Sequence, residues 1–363
     1  MARPDRKTSA AFQLAVSACR SGFCGAGEAV ERPCSAADWE DFARLAEFHR
    51  ISGLCWGYVS SLQANVPASV ADALRDAATV AATRNLQTVA ECHDLRTNFE
   101  REGIPLLFLK GLTLGTLAYR NPALKSAIDI DLLIDPDDLL RAADLLRDSG
   151  YHLVVPTSCS TAEALRAWHR PHKESVWVKG QPRLQVDLHT RPADNPALIP
   201  YIDVHSAAQQ VKVGGGVELP TLAFEDLFSY LAVHGASSAW FRLKWISDFA
   251  GLLHGQDQAD IDRLYRRSQE MGAGRAAGQS LLLADSLFGS MGENDSLRQE
   301  LLKDRAIRWL FRASLRRLTG SPDEPTEHRF GTLTIHAAQF LLKPGIRYKA
   351  SEFAGQMSRL VRR

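Results

Sequence analysis

Along the first hundred residues the apolar positions recur at helical spacing. Trp39, Phe42, Ala43 and the run from Leu45 to Phe48 follow Ser35, a residue suited to cap a helix. The alanine-rich stretch VADALRDAATVAATRNLQTVAECHDL carries the same period onward. At Ile104 the period changes. IPLLFLKG is a short apolar run ending in glycine, as a buried strand would be, and LTLGTLAYR returns to helix spacing until Asn121-Pro122 breaks it. AIDIDLLID alternates aspartate with apolar residues and predicts a second strand, stopped at Asp135-Pro136. PDDLLRAADLLRDSG is an amphipathic helix with aspartates in its first turn and Gly150 at its end. YHLVV, SVWVKG and RLQVDLHT predict three more strands, with a helix over TAEALRAWHR.

Beyond Thr221 the spacing is helical again, through FEDLFSYLAVHG, WFRLKWISDFAGLL, IDRLYRRSQEM, QSLLLADSLFG and LRQELLKDRAIRWLFRASLRRL. GSPDEPTEHRFG, around Pro322 and Pro325, is expected to be a loop, and the terminal SRLVRR a short solvated basic tail. The fold class expected is α+β. A small mixed-sheet core over residues 100–215 would be flanked by helical regions at 1–99 and 216–363.

At 363 residues, 45% hydrophobic and 23% charged, the chain has apolar material for a large core without staples. Lys and Arg number 43 against 42 Asp and Glu, a net charge of +1, so no global field draws it to nucleic acid. None of its six cysteines has zinc-chelating spacing, and reduced thiols are expected. The N-terminal stretch lacks the apolar run of a signal peptide and no window is long enough to span a membrane, which predicts a cytoplasmic protein.

Alternation places Asp129 and Asp131 on one face of their strand, with Ile128, Ile130 and Leu132 on the other. Adjacent carboxylates repel each other until a divalent cation sits between them, and Mg²⁺ commonly takes one or two carboxylates together with substrate phosphates. Asp187, in LQVDLHT, lies on another alternating strand and could converge with them. Three carboxylates suit two-metal phosphoryl or nucleotidyl transfer. The plain alternative is that Asp129 and Asp131 decorate the solvent face of an edge strand. Leu109 to Gly111 shift the balance, because a glycine between strand and helix exposes N–H groups to phosphate oxygens. The chain has no Walker-type loop, no H-E-x-x-H and no G-x-S-x-G. GAGRAAG near Gly272 follows a helix, not a strand.

The stretch LKGLTLGTLAYRNPALKSAIDIDLLIDPDDLLRAADLLRDSGY, followed by VDLH and then HG...RLKWISDFAGLL, resembles the bacterial uncharacterised nucleotidyltransferase family of the polymerase-β-like superfamily. The resemblance implies a phosphate loop at Gly111, a metal-binding pair at Asp129 and Asp131, and a third carboxylate at Asp187. It also implies that Mg²⁺ or Mn²⁺ serves an NTP substrate, ATP foremost. Leu112 departs from the superfamily, which places Ser or Gly after the loop glycine. Lys110 or Thr113 would then stand in for the missing hydroxyl ligand, or backbone alone would grip the phosphate.

Lys125 and Lys173 are further candidate phosphate contacts, each set against an ordinary solvated lysine. His189 shares a face with Asp187 but is a poor Mg²⁺ ligand. His234, Arg242 and Lys244 fall in the HG...RLKW segment, where the resemblance implies triphosphate contacts. The plain reading of Lys244 and Asp248 is an i,i+4 helix salt bridge. Trp240, Phe241, Trp245 and Phe249 read as core. The expected function is transfer of an NMP group from an NTP to an acceptor, with release of pyrophosphate. A phosphotransferase on the same metals and a degenerate nucleotide-binding or interaction module are the alternatives. The acceptor would be a small molecule, peptide or protein; a membrane partner is not expected, and nucleic acid is least favoured.

Overall fold

The structure is a computed structural model, and it describes residues 8–25, 34–62, 66–125, 128–157, 159, 161–180, 183–325 and 331–361. The helical reading of the N-terminal region holds in detail. Helix α1 (Ala10–Cys24) is capped by Ser9, whose hydroxyl accepts from Phe12 N. Helix α2 (Ala36–Phe48) opens on a capping box in which Ser35 and Asp38 satisfy each other's backbone N–H groups. After α3 (Ser52–Ser61), the alanine-rich stretch forms one 34-residue helix, α4 (Ala68–Arg101).

The sheet is built from β1 (Leu106–Phe108), β2 (Ile130–Ile134), β3 (His152–Val155), β4 (Glu174–Lys179) and β5 (Leu184–His189), in the order β1-β2-β5-β4-β3. Only β2 and β5 pair in parallel, at its centre. Connecting helices are α5 (Leu112–Tyr119), α6 (Leu139–Asp148) and α7 (Ala162–His169). The fold class is α+β, as the sequence predicts.

Alternation gives the sheet two different faces. Ile130, Leu132, Val186 and Leu188 pack with Cys92, Leu95 and Phe99 of α4 and Leu146 of α6 in one core. Leu107 and Leu133 point the other way, into a larger core made by the helices. Ile128, expected to pack, is 36% exposed, because the strand begins only at Ile130.

The pattern beyond residue 200 hid a hairpin, β6 (Ala208–Gly214) and β7 (Val217–Leu222), which turns through glycines of positive φ at 214–216. Its inward residues Val211, Val213 and Leu219 join the α4-side core. The helices that follow are α8 (Phe224–Ser237), α9 (Leu243–Leu253), α10 (Gln258–Glu270), α11 (Gly274–Phe288), α12 (Asp295–Lys303), α13 (Arg305–Leu318), α14 (Leu333–Leu341) and α15 (Ile346–Val361). The stretch read as one helix from LRQELL to LRRL is two. Asp304 separates them, its carboxylate accepting from Ala306 N at 2.7 Å and capping α13. Helices α14 and α15 fall in the expected C-terminal helical region, though no segment there was singled out, and α15 absorbs most of the basic tail. Residues 326–330 of the expected loop lie outside the described residues.

The large core draws on both ends of the chain, from Ala11, Phe12 and Ala15 of α1 to Leu281 of α11 and Leu310 of α13. Arg20 Nη2 donates to Leu287 O at 3.2 Å across this junction. All six cysteines are free thiols, and no helix among the described residues is long and apolar enough to cross a membrane.

Candidate active site

On the sheet face toward the helical core, the parallel register of β2 and β5 sets Asp131 directly beside Asp187. Asp129 stands one residue ahead of β2. One carboxylate oxygen from each of the three lies within 4.8 Å of the others. Asp131 and Asp187 are buried, and Asp129 is half-buried at the mouth.

Lys110 leaves the end of β1 to reach this cluster. Its ammonium lies 2.5 Å from Asp131 Oδ2 and 3.5 Å from Asp129 Oδ2. Gly111, at φ 75°, turns the chain from β1 into α5, and a Cβ added there would sit 3.7 Å from Asp129 O. Thr113 is buried with its hydroxyl donating to Lys110 O at 3.2 Å, so it closes the loop on itself. Leu112 is buried in the core on the α4 side of the sheet, which explains why an apolar residue follows the glycine.

His189 is fully buried behind Asp131. Its Nε2 is 3.1 Å from Asp131 Oδ1 and its Nδ1 is 3.3 Å from Glu174 Oε2. Lys173 in turn holds Glu174 Oε2 at 2.6 Å, and Gln185 donates to Asp187 Oδ1 at 3.0 Å. A chain of polar contacts thus runs through the sheet face from Lys173 through Glu174, His189 and Asp131 to Lys110.

Burial pushes Asp187 up to about 8, helped by the negative charges of Asp131, Asp129 and Glu174 and opposed by Lys110. Burial also disfavours ionised Asp129, but Lys110 and Lys244 outweigh it and hold that carboxyl well below the usual range. Glu174 behaves likewise: Lys173 and His189 overcome its burial and bring it to about 2. Lys110, despite its burial, is held above its ordinary value by Asp129 and Asp131. The three carboxylates converge with Lys110 between two of them, and their oxygens are the hard donors a small divalent cation takes. The residues fit such an ion. His189, whose two nitrogens face Asp131 and Glu174, fits as the group that orients Asp131.

Residues 35–289 match the family described as uncharacterised nucleotidyltransferase. The chain belongs to that family. It is therefore an enzyme of the nucleotidyltransferase class, which implies an NTP substrate, and the acidic triad is consistent with a divalent metal. No protein of curated description matches the chain in sequence.

In this nucleotidyltransferase the other residues singled out from the sequence divide into those near the acids and those held elsewhere. Lys244, at the start of α9, lies near Asp129. Burial and the neighbouring Lys125 lower it to about 7, against the pull of Asp129 and Asp248. His234 of α8 is kept neutral by burial, with Lys110 and Lys173 adding to the effect. Its ring meets the edge of Trp245 at 5.8 Å. Lys125 forms a buried ion pair with Asp248, whose other oxygen accepts from Tyr119 OH at 2.9 Å. Asp248 is thus committed to Lys125 and Tyr119, and the i,i+4 pair with Lys244 does not form. Arg242 bonds Phe48 O and Glu324, with its guanidinium 4.7 Å from the Phe48 ring. Its charged neighbours are Arg50 and Glu324, not the aspartates. Trp240 and Phe249 are core, as read.

Two residues of this site escaped the sequence reading. Glu174 was hidden in the polar run HRPHKES, where it looked solvated; as the first residue of β4 it pairs in register with His189. Tyr230 precedes His234 by one helical turn, and its buried hydroxyl has no hydrogen-bond partner among the described residues. The i,i+4 spacing of these two rings was the available signal.

Proposed function

We propose that this enzyme moves a nucleoside monophosphate from an NTP, ATP foremost, to an acceptor nucleophile, with Asp129, Asp131 and Asp187 holding Mg²⁺. The observation that carries the reading is the convergence of the three carboxylates on one sheet face, with Lys110 drawn in between. The ion, when bound, supplies positive charge for the triphosphate and for the leaving pyrophosphate.

The chain's own groups account for the rest. Lys110 balances Asp129 and Asp131 while the site is empty of nucleotide, and its ammonium is then in place for a phosphate oxygen. The N–H groups following Gly111 open α5 and offer donors to the same anion. Lys244 adds a cation whose charge burial and the neighbouring Lys125 disfavour, so an arriving triphosphate relieves it. Lys173 and His234 extend this wall. The acceptor oxygen attacks the α-phosphorus as the bond to the β-phosphate oxygen breaks, and pyrophosphate departs. Asp187, deprotonated where it holds the ion, would take the acceptor's proton. We assign the catalytic core to residues 100–215 and closure of the cleft to the helices after it, and we place the reaction in the cytoplasm, where NTP is supplied.

Incubation with α-labelled and, separately, γ-labelled NTP, Mg²⁺ and a lysate of the native host tests the reading. Label from the α-position should enter an acceptor, with pyrophosphate in equal amount. Transfer of γ-label with release of nucleoside diphosphate would overturn it in favour of a phosphotransferase.

A further inference from the structure

Helix α13 carries five arginines and no acidic residue in 14 positions. Its inward face is Ile307, Leu310, Ser314 and Leu318, with Ser314 accepting from Gln279 at 2.8 Å. The opposite face presents Arg305, Trp309, Arg312 and Arg316, at intervals of four, three and four residues, all exposed. That spacing sets them in one row about 17 Å long. None of the three arginines has a carboxylate within ion-pair distance among the described residues. Trp309 is 42% exposed, unusual for so large a ring.

The row opens at its N-terminal end onto a cavity of about 780 Å³, lined by Arg275, Lys303, Asp304, Arg305, Trp309 and Lys349 among others. Asp304 is already committed: it pairs with Arg275 at 2.9 Å and caps α13. Lys303, Arg305 and Lys349 are left to face the cavity with Trp309 as its aromatic wall. The overall charge of +1 conceals this local excess.

We propose that the Arg305–Trp309–Arg312–Arg316 face and its adjoining cavity bind a single-stranded polynucleotide. Guanidinium groups pair with phosphate oxygens through paired N–H donors, and an exposed indole between them offers a face on which a base stacks. A row of cations along one line matches a regularly charged strand. A lipid surface fits less well, because Trp309 is the one large apolar side chain that α13 exposes, too little for this helix to enter a bilayer. This binding is separate from the acid cluster and does not depend on the transfer reading.

Equilibrium binding of fluorescent 12-nucleotide RNA and DNA strands to the full chain, without NTP or divalent ion, tests it. Binding should weaken with salt, and the slope of log K against log[salt] should fall by roughly 0.7 for each arginine removed. Trp309→Ala, and Arg312→Glu combined with Arg316→Glu, should each reduce affinity roughly tenfold or more. These side chains are exposed, so the fold is not at stake. Absence of strand binding would overturn the proposal, as would binding that the variants leave unchanged. Equal binding of polyglutamate or of phosphatidylserine vesicles, with the same losses in the variants, would also overturn it and assign the face to charge alone or to a membrane.

Discussion

One ammonium, that of Lys110, lies 2.5 Å from Asp131 and 3.5 Å from Asp129 and so acts as the resident counter-charge of the acid cluster. Lys110→Met removes it and leaves buried carboxylates uncompensated, which typically costs about 3–5 kcal/mol. Urea unfolding in EDTA should show a loss of that order, much of it recovered in Mg²⁺. A variant as stable as the parent in EDTA would refute the assignment.

Replacing the acids should separate activity from stability. Asp129→Asn, Asp131→Asn and Asp187→Asn should each lower α-label transfer by more than about a hundredfold, whereas His189→Gln, which loosens the hold on Asp131 and Glu174 but removes no acid, should fall within roughly 10–100-fold. Asp187 also makes a prediction about pH. Burial holds its folded-state pKa at about 8, far above the ordinary value of 3.8, so the native state holds a proton that the unfolded chain releases. Metal-free stability from this group therefore falls as pH rises from about 4 to about 8. Asp187→Asn should abolish that slope and be the more stable protein at pH 8.5 in EDTA; an equal loss of stability at pH 5.5 and 8.5 would contradict it.

Lys244 should act on the nucleotide and not on the ion. Losing a hydrogen bond to a charged group costs about 1.5–3 kcal/mol, so Lys244→Ala should raise the KM for NTP by about tenfold or more. The Mg²⁺ concentration for half-maximal rate should stay the same. Steady-state kinetics at saturating Mg²⁺ and at saturating NTP distinguish the two.

Helices α5 and α9 touch backbone to backbone at Gly251, where an added Cβ would lie 2.8 Å from Ala118 O. Carbonyl oxygen cannot swing aside as a side chain can. Gly251→Ala should cost about 1–3 kcal/mol in chemical denaturation and, by moving α9 and Lys244 with it, weaken NTP binding. Unchanged stability would mean the two helices have room to part.

His49 gives the protein an acid-sensitive joint. It is 1% exposed, its Nδ1 accepts from Leu243 N at 3.2 Å, and burial, helped by the charge of Arg242, lowers its pKa to about 3. The unfolded chain binds this proton below about 6.5 and the native state does not. Stability is therefore full above about 6.5 and declines toward pH 3, by about 2 kcal/mol at pH 5. His49→Gln should flatten the fall in urea midpoint between pH 7 and pH 5.

The central strands, the loop at Gly111 and the aspartates were legible because each rests on local rules: period, glycine and alternation. What was not legible depends on partners distant in sequence. Nothing local says that Asp248 belongs to Lys125 and not to Lys244, or that Arg242 closes on Phe48 and Glu324. Glu174 looked solvated because its partner His189 is brought beside it only by strand pairing. The break at Asp304 was missed for a different reason. It has no glycine or proline, and the capping carboxylate that ends one helix and begins the next reads as one more polar residue.

The bond from Arg20 to Leu287 joins residues 267 positions apart. At a synthesis rate of about 5–20 residues per second, the partner of Arg20 emerges on the order of 10–50 s after Arg20 itself. Helix α1 can pack early on α2 and α3, with Phe12 edge-on to His49, but the side of α1 that meets α9 and α11 stays uncovered for that interval. The nascent chain is thus a natural client for a holding chaperone during its own translation, and rapid synthesis should favour its yield over slow.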